Sequence, residues 1–184
     1  MDVAWEGLLE QLVRERYARL VGHALLMTSS RHDAQDLVQD ALVSTFSSRA
    51  RFDSVGQAEL YVRRAIVSRS IDESRRRTRE RAATQRLEAR PVAPVLVEER
   101  GLGADVQRAL QSLSPRERAC VVLRQLEDLS VRETAATLGL SEGAVKRYTA
   151  DGTARLDAAL GTMTTDLETT AVRLVDTTEV QHGK

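Results

Sequence analysis

The sequence predicts an all-α protein made of two small helical domains joined by a flexible linker. Residues with high helix propensity dominate, while aromatic residues make up only 3% of the 184-residue chain. Apolar residues recur at helical spacing through two separate stretches, residues 4–81 and 104–160. Between them, residues 82–103 contain two of the three prolines and lose this periodicity, which is typical of a linker.

Residues 4–81 are predicted to form three helices. The first runs from near the start of the chain to the polar residues 28–30, and Ser30 with Asp33 forms a possible capping box for the second helix. Residues 52–56 form the next predicted loop, because they contain polar residues and a glycine. A long arginine-rich helix follows this loop. Trp5, near the start of the first helix, is expected to be a packing residue.

Residues 104–160 carry the start signals of further helices. Ser114–Glu117 and Ser130–Glu133 are two capping boxes, and the first has proline at the first helical position. Gly139 can reverse the chain, and Ser141 can cap the helix that follows. Two short helices joined by such a turn form a helix-turn-helix, whose second helix can enter a DNA major groove. The alternative is an ordinary helical hairpin, but the agreement of caps and turn favours DNA binding.

The formal net charge of zero conceals strong segregation of charge along the chain. Asp33, Asp36 and Asp40 lie in a stretch that has no lysine or arginine. Residues 49–81 contain ten arginines against five acidic residues, whereas residues 157–184 contain five acidic residues against two basic ones. Phosphate binding depends on the local patch, so that the neutral total does not argue against a nucleic-acid partner.

Several classes of protein are not supported by the sequence. The three histidines lack metal-ligand spacing, and the sequence contains no glycine-rich phosphate loop and no nucleophile elbow. We therefore predict neither enzyme activity nor a bound metal or cofactor. Cys120 is the only cysteine and is expected to be a core residue. No apolar run approaches the roughly 20 residues that cross a bilayer. A soluble cytoplasmic protein without membrane insertion is therefore expected.

Three motifs resemble those of extracytoplasmic-function (ECF) sigma factors of bacterial RNA polymerase, in an actinobacterial subgroup. Asp33–Asp40 resembles the DAEDLVQ helix, Leu60–Ser68 resembles AYVRRALVN, and Val122–Ser130 resembles VLRYLEDLS. The resemblance covers about residues 12–81 as a sigma-2 domain and about residues 106–160 as a sigma-4 domain. It implies an alternative sigma factor that binds core RNA polymerase and directs promoter-specific transcription initiation.

The resemblance also implies partners and site residues. The chain would bind core polymerase at its β′ clamp helices and its β flap, and it would bind promoter DNA at the −10 and −35 elements. An anti-sigma factor is a further possible partner in this family. The implied clamp-binding residues are Asp33, Asp36, Gln39 and Asp40. The implied −10 residues are Tyr61, Arg63, Arg64, Ser68, Arg69, Arg75, Arg76 and Arg77. The implied −35 residues are Arg132, Ser141, Glu142, Lys146, Arg147 and Tyr148.

Purely structural roles are the alternatives to some of these assignments. Asp36 and Asp40 are four residues apart and therefore share one helical face, which can bind a basic partner or simply face solvent. Tyr61 can stack on an unpaired base of melted −10 DNA or belong to the core. The arginines at 75–77 can neutralise phosphates or form a solvated end of a helix.

The chain departs from the subgroup at several positions. Ser68 stands where asparagine is usual, and a serine hydroxyl makes fewer base-directed hydrogen bonds. Tyr148, Asp151 and Thr153 replace arginines of the family's recognition helix, which predicts a weaker −35 interaction or a different sequence preference. The acidic, threonine-rich tail at 161–184 is predicted to be either a disordered end or a regulatory segment.

Two other functions fit parts of the sequence. A dimeric helix-turn-helix regulator of the response-regulator output type would have a similar segment between Leu113 and Lys146. Such a regulator carries an α/β sensing domain in its N-terminal half, where this chain shows no strand alternation. A helical adaptor or anti-sigma-like protein that binds only proteins is the third reading, and the arginine-rich helix argues against it.

Overall fold

The computed structural model describes residues 4–47, 51–84 and 102–164, and the regular structure within these ranges is entirely helical. Three helices form an N-terminal bundle: α1 (Ala4–Leu25), α2 (Arg31–Ser47) and α3 (Val55–Thr84). Four form a C-terminal bundle: α4 (Leu102–Ser112), α5 (Pro115–Val121), α6 (Val131–Leu138) and α7 (Glu142–Thr164). The predicted all-α class with two helical parts is confirmed. Most of the predicted linker and tail lies outside the described residues.

Apolar side chains from all three helices fill the core of the N-terminal bundle. Leu12, Leu20, Val38, Val62 and Ile66 are fully buried. Burying a side chain of this size contributes roughly 1.5–3 kcal/mol to stability. The core thereby fixes which faces of α2 and α3 point toward solvent, and these are the faces that carry most of the predicted site residues.

Two caps set the starts of α2 and α3. The capping box predicted for Ser30 and Asp33 is half formed: the Ser30 Oγ accepts a hydrogen bond from the backbone N–H of Asp33 at 3.0 Å, which caps α2, while the Asp33 carboxylate makes no return bond to the Ser30 N–H. Ser54 caps α3 in the same way, accepting from the N–H of Gln57 at 3.2 Å. As a result, α3 begins at Val55, and the loop predicted over 52–56 is shorter than expected.

The C-terminal bundle contains both predicted capping boxes. The Ser114 N–H donates to the Glu117 carboxylate at 2.9 Å, and the Ser130 N–H donates to the Glu133 carboxylate at 2.8 Å. Gly139 ends α6 in the left-handed conformation, with φ of 60°. The predicted helix-turn-helix of α6 and α7 is therefore confirmed as a local structure.

A π-helical turn follows α5, and no pattern in the sequence predicted it. It spans Val122–Leu126, and the N–H of Glu127 closes it by donating to the Val122 carbonyl at 3.2 Å. Asp128 then takes the left-handed conformation with φ of 52°, which is uncommon for a residue other than glycine. The turn carries the side chain of Glu127 into the protein interior, where the residue is only 8% exposed.

Gly152 permits a close approach of α7 to α5. A Cβ atom at this position would lie 2.7 Å from Cγ2 of Val121, which is closer than two carbon atoms can pack. The missing side chain therefore lets the recognition helix lie directly against α5. This contact positions α7, and with it the exposed residues at the start of that helix.

Side chains of the C-terminal bundle bind the free carbonyl groups at the end of α1. Arg118 Nη1 donates to the carbonyl of Met27 at 3.0 Å, and Gln107 Nε2 donates to that of Leu25 at 3.3 Å. Gln111 Nε2 donates to the carbonyl of Thr28. Leu25 is the last residue of α1, and Met27 and Thr28 lie in the turn that follows it, so these bonds give partners to carbonyls at the end of the helix and just beyond it. The two bundles thus pack directly on one another.

Candidate functional site

The exposed face of α2 brings the predicted acidic residues together. Asp36, Gln39 and Asp40 are exposed and Asp33 is half-buried, while the opposite face of the helix packs into the core. Val43, three residues after Asp40, lies on the same face and is 60% exposed. Sequence reasoning missed Val43, although its spacing from Gln39 and Asp40 places an apolar side chain at this acidic surface. We call Asp36, Gln39, Asp40 and Val43 the acidic face.

The acidic side chains on α2 border a cleft of about 1100 Å³ that also extends along α3 and the start of α5. Asp33, Asp36 and Asp40 contribute to its lining from α2, and Arg69 and Arg76 contribute from α3. Arg69 Nε donates to Ser44 Oγ at 3.0 Å, so it ties α3 to α2. The cleft therefore offers carboxylates and guanidinium groups to a partner at the same time.

The arginine cluster at the end of α3 is partly neutralised by acidic residues of the same helix. Arg76 and Arg77 lie 3.0 and 2.9 Å from the Glu73 carboxylate, and Arg75 lies 3.5 Å from Asp72. Hydrogen bonds from Arg76 and Arg77 lower the pKa of Glu73, against a smaller opposing effect of burial. Exposed pairs of this kind contribute little to stability, so these arginines can exchange their partners for phosphates.

Tyr61 is 47% exposed and is not a core residue. Its ring meets that of Phe52 edge-on, with the centroids 5.2 Å apart. Its position fits the predicted role in stacking on a base better than the alternative of a buried packing residue.

Three of the predicted −10 residues face the C-terminal bundle instead of solvent. Arg63 Nη2 lies 3.0 Å from Glu127 Oε1, and Ser68 Oγ donates to the Thr137 carbonyl at 3.3 Å. The positive charge of Arg64, after that of Arg63, opposes the effect of burial on the pKa of Glu127. The middle of α3 is thus covered by the π-helical turn and α6.

His23 and Glu127 meet in the interior beside Arg63, with His23 Nδ1 lying 3.6 Å from Glu127 Oε1. Burial and then the charge of Arg63 lower the pKa of His23 to about 4, so His23 is neutral at pH 7. Burial raises the pKa of Glu127, against the attraction of Arg63 and Arg64. The charged neighbour of Glu127 at neutral pH is therefore Arg63, and the contact of Glu127 with the neutral His23 is not an ion pair.

We expect acid to weaken the fold through His23. The pKa of His23 is near 6.5 in an unfolded chain and about 4 in the folded protein. At a pH between these two values, the unfolded chain binds a proton on His23 and the folded chain does not. Stability should then decrease by up to about 3 kcal/mol as the pH falls from about 6.5 to about 4.

Urea unfolding at several pH values would test this for the wild-type protein and for His23→Gln. Glu127 acts in the opposite direction, because its raised pKa favours the folded state in acid. The variant keeps Glu127, so the difference between the two proteins isolates His23. If the stabilities of the two proteins changed in parallel below pH 6.5, His23 would not be the cause of the loss of stability in acid.

The predicted −35 residues lie at the outer end of the helix-turn-helix. Arg132, Ser141, Glu142, Lys146 and Arg147 are all exposed. Ser141 also caps α7, because its Oγ accepts a hydrogen bond from the N–H of Ala144 at 3.2 Å.

Tyr148 differs from these residues, because it is half-buried and held by two arginines. Arg116 Nη1 donates to the Tyr148 hydroxyl at 3.3 Å, and the Arg147 guanidinium lies 5.0 Å from the centre of the ring. Hydrogen bonds from Arg116 and then Arg147 lower the pKa of Tyr148. Sequence reasoning did not include Arg116, whose position beside α7 depends on the packing of α5.

Other kinds of site are not found among the described residues. Residues 4–47, 51–84 and 102–164 contain no group of three or more histidine, cysteine or acidic side chains arranged to hold a metal ion. In the same ranges, no helix is both long and apolar enough to cross a membrane. Cys120 is fully buried as predicted, and burial raises the pKa of its thiol to about 11.

Comparisons with known proteins identify both halves of the chain. The family model for sigma-70 region 2 matches residues 12–80, and the model for sigma-70 region 4 matches residues 104–156. The RNA polymerase sigma-E factor of Streptomyces coelicolor is 35% identical over 149 residues, covering 80% of this chain and 82% of that protein. The ECF RNA polymerase sigma factor SigM of Mycobacterium tuberculosis is 32% identical over 164 residues, covering 85% and 79%.

A solved structure shares the fold. It is the sigma factor RpoE of Bartonella quintana, determined in complex with the anti-sigma factor NepR. The TM-score is 0.59 at 23% sequence identity, with 83% of this chain and 96% of that chain covered. The two family matches lie in the expected order, and the relatives are matched over most of their length. The chain therefore belongs to the sigma-70 family, as an ECF sigma factor that acts with core RNA polymerase and promoter DNA in transcription initiation.

Proposed function

We propose that three surfaces of this sigma factor divide the work of initiation. The acidic face of α2, with Asp33 at its edge, binds the β′ clamp helices, while α3 contacts the −10 element. The outer end of the helix-turn-helix contacts the −35 element, with the C-terminal bundle near the β flap. The exposure of Asp36, Asp40 and Val43 on one face carries the first assignment, because the surface combines charge with an exposed apolar side chain.

The contact of α3 with the C-terminal bundle supports a further proposal, about when α3 can bind DNA. Arg63 and Ser68 contact the C-terminal bundle, so they bind −10 DNA only when the two bundles separate. The described arrangement is then a closed form, and binding of polymerase favours an open one. The closed form binds −10 DNA weakly, since the residues that would contact the strand already have partners within the chain.

A regulatory partner and a location in the cell are also proposed. The structural relative was solved with an anti-sigma factor, and we propose that a protein of this kind also binds the present chain. We further propose that the protein acts in the cytoplasm, where core polymerase and promoter DNA are found. Sigma factors as a family are not enzymes, and we assign no catalytic activity to this chain.

The division of DNA contacts can be tested with Lys146→Ala combined with Arg147→Ala. Both side chains are exposed at the start of the recognition helix, so their loss should weaken binding to a −35 duplex. The dependence of affinity on salt should become shallower by about one unit of slope for each lost phosphate contact. Fluorescence anisotropy of a labelled duplex over a range of salt concentrations measures both effects.

A matched control removes the same charge elsewhere, through Arg14→Ala combined with Arg31→Ala, two exposed residues of the N-terminal bundle. This variant should bind the −35 duplex as the wild type does. The Lys146 and Arg147 variant should in turn keep its affinity for single-stranded −10 DNA. Equal losses on the duplex and on the single strand would contradict the proposed division between the two bundles.

A further inference from the structure

A second cleft, of about 680 Å³, lies between the two bundles where the last part of α3 faces α5 and α7. Arg75 and Arg79 line it from α3, Pro115 and Arg116 line it from the start of α5, and Tyr148 lines it from α7. Clefts of roughly 300–1,000 Å³ commonly hold small molecules. Because its two walls belong to different bundles, this cleft exists only while the bundles are in contact.

Positive charge dominates the walls of this cleft. Arg75 and Arg79 are four residues apart and therefore share one face of α3, and Arg116 lies on the opposite wall. None of the described residues that line the cleft is acidic. In contrast, the larger cleft beside the acidic face is lined by both acidic and basic residues. We call the space between Arg75, Arg79, Arg116 and Tyr148 the arginine cleft.

The contacts that these arginines make within the chain leave donors for an anion. Arg79 donates from Nε to the Arg75 carbonyl at 3.3 Å, and Arg116 donates from Nη1 to the Tyr148 hydroxyl at 3.3 Å. Both acceptors are uncharged, and each guanidinium has further N–H groups. Arg75 lies 3.5 Å from the Asp72 carboxylate, in a solvent-exposed pair that can exchange partners. The charges of Arg79 and Arg116 are therefore not neutralised by these contacts.

The hydroxyl of Tyr148 reports on the electrostatics at the edge of the arginine cleft. Hydrogen bonds from Arg116 and then Arg147 lower the pKa of Tyr148, and the charges of both arginines add to this effect. A lowered pKa means that the surroundings stabilise the negatively charged form of the group. The same surroundings stabilise a negatively charged ligand that lies beside this hydroxyl.

We propose that the arginine cleft binds a small molecule that carries two adjacent phosphate groups. Guanidinium groups bind phosphate oxygens through pairs of N–H donors, which gives both affinity and orientation. Arg79 would bind the anion from the N-terminal bundle and Arg116 from the C-terminal bundle. Pro115 and the edge of Ile71 supply apolar surface for the rest of the molecule.

The position of the arginine cleft favours a small molecule over DNA. The proposed contact of −10 DNA with Arg63 and Ser68 requires the bundles to separate, and their separation would take the two walls of the cleft apart. A ligand of the cleft therefore binds the closed form, whereas −10 DNA binds the open one. Neither Arg79 nor Arg116 has been assigned to DNA or to polymerase above.

A ligand that contacts both bundles should stabilise the closed form, because it binds that form and not the open one. It should therefore reduce the affinity of the free sigma factor for −10 DNA. This consequence rests on the proposed function, since it requires that the closed form binds −10 DNA weakly. The binding site itself does not rest on that proposal, so the two can be tested separately.

The first test is isothermal titration calorimetry of the full chain with pyrophosphate, at an ionic strength of about 0.15 M set with sodium chloride. We expect saturable binding of one pyrophosphate per chain. Arg79→Ala and Arg116→Ala should each weaken this binding roughly tenfold or more, and Arg116→Lys should lose less than Arg116→Ala. Arg14→Ala removes an exposed arginine of α1 and should have no effect. Thermal melts establish that each variant is folded.

The second test measures the affinity of the chain for a labelled single strand of −10 DNA, with pyrophosphate or with sodium chloride at the same ionic strength. Pyrophosphate should weaken DNA binding by the wild type and should have no effect on the Arg116→Ala variant. The variant is the control for direct competition, because pyrophosphate that displaced the strand from other arginines would weaken binding by both proteins.

The outcomes separate the arginine cleft from the proposed function. The absence of saturable pyrophosphate binding, or an equal loss with Arg14→Ala, would overturn the proposal. If Arg79→Ala and Arg116→Ala weaken DNA binding and leave pyrophosphate binding unchanged, the cleft contacts the DNA backbone and the proposal is wrong. If pyrophosphate binds as expected and DNA affinity stays the same, the arginine cleft is supported, and the closed form does not restrict −10 binding.

Discussion

Reversing the charge at both Asp36 and Asp40 is expected to abolish co-purification of the sigma factor with core RNA polymerase. Both side chains are exposed on the acidic face, so lysines at these positions can point into solvent without disturbing the core. An attraction to basic groups on the partner would become a repulsion, and like charges across an interface cost several kcal/mol. Affinity should fall at least about a hundredfold, or about 3 kcal/mol.

Glu6→Lys combined with Glu10→Lys is the matched control. These two exposed glutamates on α1 have the same spacing along their helix, and the variant makes the same change in net charge. This control should bind polymerase as the wild type does. Val43→Ala, which leaves the charge of the acidic face unchanged, should weaken the binding of polymerase. Circular dichroism would verify that all variants are helical. A folded Asp36 and Asp40 variant that still co-purifies with polymerase would contradict the assignment of this face.

The features that depend on residues close together in the sequence could be predicted from the sequence alone. The boxes at Ser114 and Ser130 and the turn at Gly139 depend on residues within a few positions of each other. Likewise, the exposure of Asp36 and Asp40 follows from the helical period of the apolar residues on the opposite side of α2. These features were therefore predictable before the structure was known.

Contacts between the bundles were not predictable, because their partners lie far apart in sequence. Arg118 and the Met27 carbonyl are 91 residues apart, and Ser68 and the Thr137 carbonyl are 69 residues apart. Nothing local in the sequence distinguishes Arg118 from the exposed Arg116. The π-helical turn that directs Glu127 inward also had no sequence pattern of its own.

The position of Ser68 gives one departure from the family a physical meaning. Sequence reasoning treated the serine as a weaker base-contacting residue than asparagine. In the structure, its hydroxyl donates to the carbonyl of Thr137 at 3.3 Å, which contributes to the contact between α3 and α6. The same side chain is thus a proposed DNA contact in the open form and an internal contact in the closed form.

Replacing Arg118 with alanine should be among the most damaging substitutions in the protein. Its guanidinium is buried and donates to four carbonyls: those of Leu110, Gln111 and Leu113 in the C-terminal bundle and that of Met27 in the N-terminal bundle. Burial lowers the pKa of Arg118, but guanidinium groups remain charged in proteins. The alanine variant removes the donor to the carbonyls of Met27, Gln111 and Leu113, whereas the Leu110 carbonyl keeps the N–H of Leu113. This loss should lower the free energy of unfolding by about 3 kcal/mol.

Two comparisons identify the reason for this loss. Arg118→Lys keeps the charge but has a single ammonium group, which cannot reach carbonyls spread around a planar guanidinium, so it should recover only part of the stability. Arg108→Ala removes an exposed arginine of α4 that pairs with Asp105, and it should cost about 0.5 kcal/mol or less. Urea unfolding of the three variants measures these differences. If Arg118→Ala costs no more than Arg108→Ala, the four carbonyl contacts do not stabilise the fold, and the bundles are held together by other contacts, such as those of Gln107, Ser68 and Arg63.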